Sequence, residues 1–75
     1  MNTSLAETWG RAIRDQRAAR GLSQDDLAAE LGVSQGTISK WERGLNLPPH
    51  ALVPKIARAL GTVPSVLFQY PVATA

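Results

Sequence analysis

The sequence predicts an all-α fold, a compact bundle of five short helices with a helix-turn-helix formed by the second and third. Three observations carry this. From Gln24 to Arg43 the residues Leu27, Ala28, Leu31, Gly32, Val33, Ile38 and Trp41 have the spacing that packs one short helix across another, with small Ala28 at the closest approach and Gly32 at the turn. Serines stand at helix starts and glycines at helix ends around that stretch. A further apolar stripe, Val53, Ile56, Ala57 and Leu60, follows the breaker cluster Asn46-Leu47-Pro48-Pro49.

Each element has its own local cause. Ser4-Leu5-Ala6-Glu7 has the form of a capping box, which starts helix 1 near Leu5. Trp9, Ala12, Ile13 and Gln16 follow one face of that helix, and Gly21 stops it after Arg20. Ser23 caps helix 2, Asp26 favours the positive end of its dipole, and Gly32 ends it. Ser34 caps helix 3 and Gly44 closes it. Pro54 fits only a first helical turn, so helix 4 either begins near Val53 or begins near Pro49 and kinks. Pro64 suits the start of a short helix 5 over Ser65 to Phe68, leaving a patternless tail from Gln69 to Ala75. The expected organisation is one domain over 1–75, with its core at about 5–68 and a tail at 69–75.

Size and composition bound the function. A chain of 75 residues buries only about 60% of the surface of its unfolded form, leaving little core for a second activity. The absence of cysteine excludes disulfide staples and Cys-based zinc sites. No basic leader or long apolar run is present, so the expectation is a soluble, intracellular protein without a membrane partner. A net charge of +2 and a pI near 9.7 favour polyanions without identifying one.

The motif from Gln24 to Arg43 resembles the DNA-binding domain of the phage repressor and Cro family, also called the xenobiotic-response-element type. The resemblance runs from about Trp9 to Leu67 and includes Gly21-Leu22-Ser23-Gln24, Glu42-Arg43-Gly44 and Ala59-Leu60-Gly61. It implies a lambda-repressor-like bundle and a sequence-specific regulator of transcription that binds double-stranded operator DNA. A repressor of a phage or mobile element, similar to the short Cro-like proteins, is the function the family suggests. An antitoxin-type module that neutralises a protein partner and controls its own operon is the alternative.

Helical geometry independently assigns an exposed face to helix 3. At about 100° per residue, Ile38 and Trp41 point one way, while Gln35, Gly36, Ser39, Lys40 and Arg43 fill a nearly opposite arc free of acids. Glutamine can pair with N6 and N7 of adenine, lysine can reach O6 or N7 of guanine, and serine adapts to several base edges. The resemblance places base contacts on Gln35, Gly36, Ser39 and Lys40. Gly36 either permits close backbone approach or is simply tolerated.

Phosphate contacts are expected where helix amino termini and basic side chains meet the DNA backbone. The resemblance places such contacts on Gln24, Arg43 and Asn46, and Ser23, Ser34 and Arg17 are further candidates. In similar proteins an arginine at the position of Arg17 pairs with a glutamate late in helix 3, here Glu42. Arg11, Arg14 and Arg20 are read as mostly solvated, Trp9 and Trp41 as core, and His50 as solvent-facing.

Asp25, Asp26 and Glu30 lack a metal set, a cofactor loop or a nucleophile beside them, so no enzyme activity, metal, cofactor or small-molecule ligand is expected. A single recognition helix reads few base pairs, which predicts a homodimer, formed in solution or only on DNA, on a near-palindromic operator. Its interface is assigned to Val66, Phe68, Tyr70 and Val72, with Leu67 closing the core.

Overall fold

The computed structural model describes residues 4–68 and contains five helices among them: α1 (Leu5–Ala19), α2 (Gln24–Leu31), α3 (Gln35–Glu42), α4 (Val53–Ala59) and α5 (Pro64–Leu67). A single 3-10 turn, His50–Leu52, leads into α4. Pro54 lies in the first turn of α4, where no amide is required of it. Of the two starts the sequence allows, the structure takes the one near Val53, directly after the 3-10 turn.

Side-chain caps separate the first three helices. Ser4 Oγ accepts from the Glu7 amide at 3.1 Å, and Glu7 Oε1 accepts from the Ser4 amide at 2.9 Å. The same reciprocal arrangement joins Ser23 and Asp26, with both bonds at 2.9 Å. Asp26 therefore does more than favour the helix dipole. The Ser23 amide, followed by the Ser23 hydroxyl, holds the Asp26 carboxyl below its ordinary pKa. Gly32 has φ of 73°, the left-handed conformation that turns the chain from α2 toward α3 with little steric cost.

The buried cluster draws on every helix: Trp9 and Ile13 from α1, Leu27, Ala28 and Leu31 from α2, Ile38 and Trp41 from α3, Ile56 and Ala57 from α4, and Leu67 from α5. Leu60 and Phe68, each just beyond a helix, complete it. Both tryptophans are scaffold, and His50 is exposed. Gln16 is also exposed, so the polar side chain on α1 stays at the rim of the core.

A close approach invisible in the hydrophobic pattern occurs at Gly10. A Cβ there would collide with the Trp41 carbonyl oxygen and stand 3.0 Å from that of Glu42. The missing side chain lets α1 lie directly against the carboxyl end of α3. Backbone on both sides makes this contact difficult to relax.

Phe68 corrects the expected dimer surface. It is 1% exposed and stacks on Trp9, with ring centroids 4.3 Å apart and planes inclined by 24°. The chain leaves helical geometry at Phe68 (φ −108°, ψ 75°), which turns the ring back onto α1 beside Leu67. Val66 remains outside at 55% exposure. Tyr70 and Val72 lie outside the described residues. No helix among the described residues is long and apolar enough to cross a membrane.

Candidate nucleic-acid interface

The two helices of the motif are eight residues each, so tertiary packing must hold them. Ile38 and Trp41 anchor α3 in the core, leaving Gln35, Gly36, Lys40 and Arg43 exposed and Ser39 half-buried on its outer side. Ser34 Oγ accepts from the Thr37 amide at 3.1 Å and shares a 2.9 Å hydrogen bond with the Thr37 hydroxyl. The Ser23 and Ser34 oxygens are thus engaged in capping the two helix starts.

Glu42 is the buried charge that organises this surface. Its carboxylate accepts from Arg17 Nε at 2.6 Å, Arg17 Nη2 at 3.0 Å and Gln24 Nε2 at 3.0 Å. Arg17 Nη1 also donates to the Leu22 carbonyl at 2.7 Å. Donating to the Glu42 carboxylate raises the Arg17 pKa against the opposing effect of burial. With its guanidinium turned inward and its side chain 16% exposed, Arg17 belongs to the scaffold, which corrects its assignment to phosphate.

The network continues to the recognition face, because Gln24 Oε1 accepts from Gln35 Nε2 at 2.5 Å. Its polarity follows from chemistry. An ionised carboxylate offers only acceptors, so Gln24 must turn its nitrogen to Glu42 and its oxygen to Gln35. Gln35 then donates one N–H inward and retains the other N–H together with its oxygen. That remaining pair matches N7 and N6 of adenine.

Other residues fall around this centre. Arg43 Nε donates to the Ser39 carbonyl at 3.3 Å and to Ser39 Oγ at 3.2 Å, laying the guanidinium along α3. Asn46 is exposed in the following loop. A Cβ added to Gly36 would meet only Ser34 Oγ, at 3.8 Å, so packing within the domain does not require glycine there. The Gln24–Gln35 bond is not among the contacts that sequence reasoning predicts. Its only signal is that both glutamines directly follow capping serines, at the first positions of adjacent helices.

Comparison with known proteins gives the same answer as the geometry. The HTH_3 helix-turn-helix family model matches residues 13–68. An uncharacterized HTH-type transcriptional regulator of Bacillus subtilis, YazB, is 40% identical over 55 residues, covering 73% of this chain and 80% of that protein. In some other relatives the matching region is about a quarter of the length. Among solved structures, the clp gene regulator ClgR of Corynebacterium glutamicum superposes with a TM-score of 0.86 at 30% identity, over 92% of this chain and 88% of that one. The restriction-modification controller protein C.AhdI of Aeromonas hydrophila gives 0.79 at 33% identity, over 84% and 96%. Caps, core and comparisons together place this chain in the HTH_3 family of XRE/Cro-type helix-turn-helix domains, a family of DNA-binding transcriptional regulators.

Proposed function

We propose that the domain inserts α3 into the major groove of a specific operator and represses transcription by occupying it. The observation that carries this reading is the fixed polarity of Gln35, imposed through Gln24 by buried Glu42. A side chain oriented before binding loses less freedom when it meets a base. Gln35, Ser39 and Lys40 read base edges, while Gly36 leaves room for the groove wall beside them. Gln24, Arg43 and Asn46 contact phosphate, with the amino ends of α2 and α3 at Ser23 and Ser34 directed to the same backbone. The family resemblance supports action in the bacterial cytoplasm on a phage or mobile-element operator.

The test is selection of bound sequences from random duplexes, followed by titration of variants over a salt series. Lys40→Ala and Gln35→Ala should each weaken operator binding by about 1–3 kcal/mol and relax preference at separate base positions. Arg43→Ala should weaken all duplexes alike and lower the salt slope by about one. Unchanged affinity in all three would overturn the assigned face.

Specificity in a genome calls for more contact than one α3 provides, so a twofold dimer on a near-palindrome, with half-sites about 34 Å apart, completes the reading. With Phe68 in the core, the interface is assigned to exposed Val66 and to Tyr70 and Val72. Val66→Asp should abolish cooperative binding to the full operator while preserving half-site binding. Equal wild-type affinity for half-site and full operator would refute the dimer.

A further inference from the structure

We propose that Arg11 and Arg14 of α1, together with Arg43, form a second DNA contact, a cleft that takes a backbone phosphodiester beyond the carboxyl end of α3. The inference rests on α3 being the recognition helix and extends the interface to an element that reads no bases. A cleft of about 270 Å³ lies between α1 and the end of α3, lined by Glu7, Arg11, Arg14, Glu42 and Arg43.

Two fixed contacts set this geometry. Gly10 abuts the Trp41 and Glu42 carbonyls, and Arg17 grips the Glu42 carboxylate. The stretch of α1 between them must therefore run beside the carboxyl end of α3. Arg11 and Arg14, three residues apart, share a side of α1.

The acids lining the cleft are already engaged. Both Glu42 oxygens accept from Arg17, and one also from Gln24, while Glu7 Oε1 accepts from the Ser4 amide. Arg11 is exposed and has no hydrogen bond or ion pair among the described residues. Arg14 has only Asp15 at 3.8 Å, with both side chains more than half exposed, an arrangement that holds little free energy. Of the Arg43 nitrogens, Nε is the one bonded to Ser39. Three arginines therefore line the cleft with donors available for the planar, paired hydrogen bonds that phosphate accepts.

Position selects DNA over a free anion. Arg43 lies on both the outer side of α3 and the rim of the cleft, so a ligand running along Ser39 and Lys40 reaches it directly. An eight-residue helix is about 12 Å long, comparable with the width of the major groove, so its end stands close to a phosphate wall.

The test compares the wild type with an Arg11→Gln/Arg14→Gln variant on the selected operator and on an unrelated duplex across a salt series. A Lys55→Gln/Arg58→Gln variant removes equal charge from α4. The cleft variant should bind both duplexes about tenfold more weakly, lower the salt slope by about 0.9 for each phosphate it no longer neutralises, and keep the base preferences of the wild type. The α4 variant should retain the wild-type slope. A methylphosphonate scan of the operator provides a second readout: one neutralised phosphate should weaken the wild type and leave the cleft variant unaffected. If the double variant melts early, Arg11→Gln alone, at an exposed position, should still show the smaller slope.

Wild-type affinity and slope in a folded cleft variant would overturn the inference and leave α3 as the reader. An equal weakening in the α4 variant would also overturn it, attributing the effect to net charge. Failure of the wild type to prefer any duplex would instead sink the reading on which the inference rests.

Discussion

Truncating Phe68 to alanine is expected to destabilise the domain by about 3–5 kcal/mol, the usual cost of removing a large aromatic from a core. The ring is 1% exposed and stacked on Trp9, so no neighbour can easily fill the space. A domain of 75 residues has only about 4–11 kcal/mol of total stability, so much of it would disappear. At about 4–8 °C per kcal/mol, the Tm should fall by at least about 12 °C. Val66→Ala, two residues earlier and largely exposed, should stay within about 0.5 kcal/mol. Thermal and urea unfolding of the two variants decides the matter. A loss in Phe68→Ala as small as that in Val66→Ala would return Phe68 to the surface.

The contrast between these neighbours explains where sequence patterns carry information. Ser4–Glu7 and Ser23–Asp26 are three residues apart, and Ile38 and Trp41 share one helical face, so local geometry alone reveals them. α5 has only four residues, too few for a helical period to separate inward from outward positions. Val66 and Phe68 therefore read alike as apolar surface beside a core Leu67, although Phe68 faces inward as Leu67 does.

Contacts between elements are harder to read for the same reason. Gly10 looks like a liability inside a helix until α3 is placed against it, and the Gln24–Gln35 bond depends on how α2 meets α3. The outer face of α3 is legible because burial of Ile38 and Trp41 fixes it by exclusion. Which of its side chains touches a base depends on the operator, whose shape and sequence are not encoded in this chain.

Arg17→Ala is expected to cost about 3–5 kcal/mol, because it strands the Glu42 carboxylate in a protein interior. The Glu42 side chain is 3% exposed against 16% for Arg17, so removing the arginine should hurt more than removing the glutamate. After Glu42→Ala, Arg17 retains the Leu22 carbonyl and some access to water. Arg17→Met/Glu42→Leu should recover much of the deficit, since a packed apolar pair carries no desolvation penalty. A cycle of urea unfolding measurements on Arg17→Ala, Glu42→Ala and Arg17→Ala/Glu42→Ala isolates the coupling. Glu42→Gln separates stability from recognition, because an amide can present either a donor or an acceptor to Gln24. The polarity passed to Gln35 is then no longer imposed, and the preference for adenine opposite Gln35 should relax in protein that is still folded. Additive effects in the cycle would show that the two charges act independently, and an unchanged base preference in Glu42→Gln would remove the buried carboxylate from the recognition mechanism.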